Sequence, residues 1–265
     1  MAISPRRRSY PSDLTDAEWS QIEPHIPKNR TLPKNIQHSK REILDAILYV
    51  DRTGLQWEFL PHDFPPWKTV YGYFIQWRDD GTFERIADML RRKLRALEGR
   101  EEEPTLGILD SQSRQSTEVG GAKGFDAGKK VKGRKRHILV DILGCVLAVF
   151  VTSANVQDRD MLRPVVHEVR YTVPSLQKIL VDGGYRGPPL TAVQAEFGVT
   201  IEVVLRSDTA KGFEVIPKRW VVERTFGWLN RERRLSKEYD RNPESTRAWI
   251  HVASFRMMAR RLAAA

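Results

Sequence analysis

Three acids stand at places in the chain where solvated surface explains them poorly. Asp110 closes the apolar run Leu106-Gly107-Ile108-Leu109, and Asp182 closes Ile179-Leu180-Val181. Glu223 lies in Arg219-Trp220-Val221-Val222-Glu223-Arg224-Thr225-Phe226, a helical segment whose apolar stripe runs through Trp220, Val222, Phe226 and Leu229. Carboxylates carried by three different elements can converge on hard cations, which take oxygen ligands. A pair of Mg²⁺ ions about 3.5–4 Å apart would then activate an attacking oxygen and stabilise a leaving one in in-line phosphoryl transfer. The plainer reading makes Asp110 and Asp182 caps or turn residues after strands, and pairs Glu223 with Arg219 four residues earlier on the helix.

The surroundings favour a phosphodiester over a sugar or an acyl group. Lys123 to Arg136 holds seven basic residues against the single acid Asp126, interleaved with Gly124, Gly128 and Gly133. Glycines let a backbone approach a phosphate chain closely, and the lysines and arginines supply salt-dependent affinity, although such a run is ordinarily a solvated loop. A second run, Lys218 to Arg241, holds eight basic residues around Glu223. His137 reads equally as structural or as a phosphate contact, and Asp141 and Asp158 read as groups supporting the acids from behind or, more plainly, as turn or cap positions. Gly128-Lys129 lacks the earlier glycine of a phosphate-binding loop and is followed by Lys130, so nucleotide hydrolysis is disfavoured. Neither a Gly-x-Ser-x-Gly elbow nor a His-Glu-x-x-His pair occurs. The lone Cys145 excludes an intrachain disulfide framework and a Cys-rich zinc site, and suits a reducing cytoplasm.

These groups need a scaffold, and 265 residues suffice for one large domain or a small and a medium one. Thr15-Asp16-Ala17-Glu18 and Ser39-Lys40-Arg41-Glu42 carry the hydroxyl-x-x-Glu signal of a helix start. The second opens an apolar run that stops at Gly54, a residue suited to the left-handed turn after a helix. Trp67 to Trp77 and Phe83 to Leu94 repeat at spacings of three and four, so residues 12–97 read as a helical bundle. Charge, Gly and Pro then break the pattern. The expected division is a helical domain over 1–98, a linker over 99–104 and a sheet-bearing domain over 105–265. In the last, strands are expected at 105–110, 136–142, 145–152, 178–182 and 200–205, with a tight hairpin at Leu143-Gly144 and helices at 158–173, 189–197 and 217–234. That order gives a mixed α/β sheet covered on both faces. The greasiest stretch, Ile138 to Val151, contains Asp141 and Gly144 and falls short of the roughly 20 residues that span a bilayer. No secretory leader follows Arg6-Arg7-Arg8, and the excess of 44 basic over 34 acidic residues, a net +10, suggests a polyanionic partner.

Taken together, Asp110-Ser111-Gln112-Ser113, the stretch from Gly120-Gly121 to Lys135-Arg136-His137, Asp182-Gly183-Gly184-Tyr185-Arg186-Gly187 and Arg219 to Thr225 resemble the acid motifs of bacterial insertion-sequence transposases of the DDE type, in the insertion sequence family four/five superfamily. Ser12 to Trp19 resembles their N-terminal helical domain, which implies that 1–98 is a DNA-end-binding domain and 105–265 the catalytic domain. The resemblance implies a ribonuclease-H-like catalytic fold in which Asp110, Asp182 and Glu223 bind two Mg²⁺ ions, with Mn²⁺ able to substitute. It implies DNA contacts by Lys129, Lys130, Lys132, Arg134, Lys135, Arg136, Arg186, Arg219, Arg231 and Arg234. Arg219 matches the arginine of the signature Tyr-x2-Arg-x3-Glu-x6-Lys, whereas Ile216 stands at its tyrosine and Asn230 at its lysine, with Arg231 and Arg234 close by. The implied chemistry is hydrolysis at the element's ends followed by attack of the freed 3′-hydroxyl on target DNA, without a covalent protein–DNA intermediate. The implied partners are double-stranded DNA, as terminal inverted repeats and target, and a second copy of the chain, in the cytoplasm at the nucleoid. Trp57 and Trp67 read as core rather than DNA contacts. Two rivals share the same basic surface: a DNA binder without catalysis, and a ribonuclease-H-like nuclease that cuts without joining.

Overall fold

In the computed structural model, which describes residues 7–27, 38–118, 121–204 and 220–265, both helix-start signals form closed capping boxes. Thr15 Oγ1 accepts the Glu18 amide at 3.1 Å while Glu18 Oε2 accepts the Thr15 amide at 2.7 Å, opening α1 (Asp16–Ile22). Ser39 and Glu42 bond reciprocally in the same way at the start of α2 (Lys40–Thr53), which ends at Gly54 with φ 70°. Next come α3 (Trp67–Asp79) and α4 (Thr82–Leu97).

The sheet comprises β1 (Leu106–Gln115), β2 (Gly124–Asp126), β3 (Val131–Val140), β4 (Val146–Ser153), β5 (Lys178–Val181) and β6 (Thr200–Val203). β3 runs antiparallel to β1, β2 and β4, whereas β1, β5 and β6 are successively parallel. This is the ribonuclease-H-like mixed sheet that the resemblance implies. On one face, Leu109, Leu139, Ile179 and Val181 pack against α5 (Leu162–Thr172) and α6 (Pro188–Phe197). On the other, Ile108, Ile138, Val140 and Leu180 pack with α7 (Trp220–Leu229) and α8 (Pro243–Ala263).

Besides the helix expected over 217–234, which ends at Leu229, two features depart from the sequence expectation. β1 runs on to Gln115 and β3 begins at Val131, so the stretch expected to be a glycine-rich loop is largely paired strand. Its buried basic residues are tolerated there because each finds partners within the chain, Lys135 on Asp126 and Asp158, and Arg134 and Arg136 on the C-terminal segment. Gly133 permits the pairing, since a Cβ at this position would stand 1.9 Å from the Arg114 carbonyl oxygen. The second is α8, which the expected elements did not include. Asn242 caps it by accepting the Glu244 amide at 3.0 Å, and Pro243 occupies its first turn.

α8 also packs against the helical layer. Its Trp249 and Phe255 lie in one continuous core with Ile47 of α2, Phe74 of α3 and Leu90 of α4. Trp57 stacks 5.6 Å from Trp249, which makes it a core residue. The segment expected as a linker is bound to α4: Arg91 and Arg95 donate to the carbonyls of Glu102 and Glu101 at 3.0 and 2.8 Å, and Arg92 pairs with Glu103 at 2.8 Å. The helical layer and the sheet therefore do not have separate cores. Asp141 adds a further tie, accepting the amides of Leu143 and Cys145 in the β3–β4 hairpin and an ion pair from Arg95 at 2.8 Å, buried on both sides.

Candidate active site

The strand register brings two of the three acids together. β1 and β5 pair in parallel from Leu106 opposite Lys178 to Ile108 opposite Leu180, and two more residues of the same register set Asp110 level with Asp182. Side chains alternate along a strand, so Asp110 shares a face with Ile108 and Asp182 with Leu180. α7 covers that face through Val221, Val222, Phe226 and Leu229 and carries Glu223 on its exposed side. All three acids thus belong to one side of the sheet, with Asp110 midway along β1 and Asp182 just past the end of β5, both half-buried.

Each aspartate also has a local role. Asp110 Oδ1 accepts the Ser111 amide at 2.7 Å, and Asp182 caps the short turn Gly183–Tyr185 by accepting the Gly184 amide at 2.8 Å. As donors, three carboxylates without a nitrogen or sulfur ligand fit a hard divalent cation. Among the described residues, however, no three acidic, histidine or cysteine side chains are gathered closely enough to hold a metal ion as they stand.

Behind Asp110, on the opposite face, lies a polar brace in which Asp158 does more than cap a turn. Ser111 Oγ donates to Asp158 Oδ1 at 2.8 Å, and Lys135 Nζ lies 3.1 Å from the same oxygen and 3.5 Å from Asp126. Lys129 Nζ donates to the Ser111 carbonyl at 3.1 Å. A Cβ at Gly184 would lie 3.1 Å from Asp182 Oδ1 and 3.5 Å from Asp158 Oδ2, so Asp158 stands beside the turn that carries Asp182. The brace thus sits between the middle of β1, where Asp110 lies, and the turn after β5 that begins at Asp182. Periodicity does not reveal it, because Asp158 is distant in sequence from both strands.

His137 is structural: it is fully buried, and its Nε2 lies 3.1 Å from Thr152 Oγ1. Burial pushes its pKa down to about 4; Asp158 opposes the shift, and Lys135 and Lys129 reinforce it. An unfolded histidine titrates near 6.5, so between about 6.5 and 4 the unfolded chain takes up a proton that the native chain refuses. Stability therefore falls as pH drops through that window. In urea titrations at pH 7 and 4.5, His137→Gln is expected to remove up to about 3 kcal/mol of this acid loss.

The basic residues divide by burial. Lys129, Lys130, Lys132, Arg186 and Arg231 are exposed. Arg134, Lys135, Arg136 and Arg234 are buried with partners inside the chain, which corrects the expectation that they face DNA. Arg134 donates to the Asp240 and Arg241 carbonyls at 2.8 and 2.6 Å. Arg136 donates to Glu238 Oε1 at 2.6 Å and to the Leu235 carbonyl at 2.8 Å. Arg234 takes Asp240 with two nitrogens, at 2.7 and 3.2 Å. Buried guanidiniums require such pairing, and the C-terminal segment supplies it. Asn230, at the lysine position of the signature, accepts from Arg114. Arg219 and Ile216 lie outside the described residues.

The sequence matches two family profiles: one described as "Putative transposase of IS4/5 family" over residues 14–87, and one described as "Transposase DDE domain" over residues 101–258, more than half of the chain. A "Putative transposase for insertion sequence element IS402" of Burkholderia cepacia is 35% identical over 47% of this chain and 60% of its own length. An uncharacterized 16.2 kDa protein of the same insertion element is 32% identical over 31% of this chain and 60% of its own. The chain thus matches about 60% of the length of these curated relatives. The solved Mos1 mariner paired end complex with Mn aligns over 89% of this chain and 80% of that one, at 10% identity and a TM-score of 0.34. Among the described residues, no helix is long and apolar enough to cross a membrane.

Proposed function

Because the chain belongs to the family of transposases with a DDE domain, we propose that it cleaves DNA at the ends of an insertion sequence and joins the resulting 3′-hydroxyl ends to target DNA. The observation that carries this reading is the register that sets Asp110 level with Asp182 on the face covered by the helix of Glu223. In it, Asp110, Asp182 and Glu223 hold divalent cations, Mg²⁺ or Mn²⁺. Bound there, such ions supply Lewis-acid activation of the attacking and leaving oxygens of a phosphodiester. The chain's own groups do the positioning. The Ser111–Asp158–Lys135 brace holds the middle of β1, with Asp110, beside the turn that carries Asp182. Lys129, Lys130, Lys132, Arg186 and Arg231 bind backbone phosphates, and Arg219 is assigned the same role on its motif. The helices within residues 1–98 take the terminal inverted repeats, and two copies of the chain bring two ends together at the cell's nucleoid.

A pre-cleaved inverted-repeat end incubated with a target duplex and Mg²⁺ tests the joining step. Joined products are expected. Nicked target without joined ends would favour a nuclease, and binding without either product would favour a non-catalytic DNA-binding copy.

A further inference from the structure

Beside α7, a cavity of about 500 Å³ opens between α7, α8 and the β3–β4 turn, and none of Asp110, Asp182 and Glu223 lines it. The volume suits a small organic molecule rather than a bare ion. Three kinds of chemistry meet in its wall.

The first is positive charge from Arg224, Arg256, Arg260 and Arg261, offset in part by Glu18 and Glu98, which lie 3.3 and 2.8 Å from Arg260 and Arg261. Burial first, and then the neighbouring Arg261, lowers the pKa of Arg224; burial and then Arg260 lower that of Arg256. Guanidiniums crowded enough to disfavour one another's charge attract an anion. The second is a flat apolar surface, with Trp228 beside Leu143 and Met257. Arg224 stacks 4.4 Å from the centroids of both Trp220 and Trp228, which fixes the Trp228 ring. The third is an acidic acceptor, Glu232, which is ion-paired with Arg52 at 3.5 Å and with Arg256 at 3.8 Å but whose Oε2 accepts no hydrogen bond. Arg256 Nη1 and Ser254 Oγ likewise make no hydrogen bond among the described residues, although Arg256 and Ser254 are each only 2% exposed. Buried polar groups left unpaired are costly and mark sites completed by something else.

An anion, a flat ring and an N–H donor on one ligand describe a nucleotide. We infer that this cavity binds one nucleotide unit bearing an exocyclic amino group, its phosphate among the arginines, its base against Trp228 and its amine on Glu232. Carboxylate side chains accept from such amines in base recognition. The unit is either a free mononucleotide or the terminal nucleotide of a DNA strand. The site goes beyond the proposed strand chemistry and does not depend on it.

Titration calorimetry of the full chain in metal-free buffer tests this with deoxyadenosine monophosphate, thymidine monophosphate, deoxyadenosine, inorganic phosphate and a short 5′-phosphorylated oligodeoxyadenylate. The adenine nucleotide is expected to saturate one site, with thymidine monophosphate about tenfold weaker and deoxyadenosine and phosphate weaker still. Met257→Trp, which fills the mouth of the cavity, is expected to abolish binding. Glu232→Met is expected to bring the two nucleotides to within about twofold of each other. Circular dichroism and urea midpoints confirm that both variants are folded. Competition by the oligonucleotide would identify a strand terminus as the source, and its failure to compete would identify the free nucleotide. Absence of saturable binding by the folded chain, equal affinity for inorganic phosphate, or binding unaffected by Met257→Trp would overturn the inference.

Discussion

Asp182→Asn is expected to reduce metal-dependent DNA cleavage by at least about a thousandfold, since groups that act as a unit fail together when one is lost, while DNA affinity stays within about twofold. This substitution separates the two roles of the residue. An asparagine side chain still offers an oxygen to the Gly184 amide, which Asp182 accepts at 2.8 Å, so the turn Gly183–Tyr185 is kept. What it loses is negative charge, on which a hard cation depends. If Asp182 were only a cap, cleavage would survive. Single-turnover cleavage rates beside fluorescence anisotropy on the same duplex read the two effects separately.

Arg136→Ala is expected to destabilise the fold by about 3–5 kcal/mol, the cost of leaving a buried charge without its partner. Glu238 is fully buried, and its two oxygens take Arg136 Nε at 2.6 Å and Thr246 Oγ1 at 2.6 Å. Arg134 Nη1 lies 3.9 Å away, too far to replace the lost hydrogen bond. The pair fastens the segment between α7 and α8 to β3, so its loss loosens the helix of Glu223 as well. Urea unfolding monitored by circular dichroism measures the change. Unaltered stability combined with a shallower salt dependence of DNA binding would show instead that Arg136 contacts phosphate.

The contrast between Asp182 and Arg136 indicates which parts of the molecule are legible in its sequence. Signals confined to a few neighbouring residues are reliable: the Thr15–Glu18 and Ser39–Glu42 boxes, the left-handed Gly54 and the Asp141–Gly144 hairpin all form. Each is set by backbone geometry within one turn, where distant packing has little influence. Acids ending apolar runs were legible for a similar reason, because a charged residue after Leu109 or Val181 interrupts a buried strand.

Long-range pairing was not legible in this way. The run from Lys129 to Arg136 has the composition of a phosphate-binding loop, yet from Val131 onward it is strand. The partners of Arg134 and Arg136 lie about a hundred residues further on, and no local pattern announces Glu238 or the Asp240 and Arg241 carbonyls. Asp158 was hidden by the same distance. α8 did leave local traces, in Asn242-Pro243-Glu244 and the apolar positions Trp249, Ile250, Val252 and Phe255. Its burial on nearly all sides blurs the amphipathic stripe by which a surface helix is recognised.

The most direct test of the three-acid centre is Mg²⁺-dependent cleavage of a duplex carrying the element's terminal inverted repeat, by the intact chain beside Asp110→Ala and Glu223→Ala. Cleavage by the intact chain, lost in both variants while both still bind the duplex, is the predicted result. Cleavage that persists in either variant, or an intact chain that binds the repeat and never cuts it, would contradict the assignment.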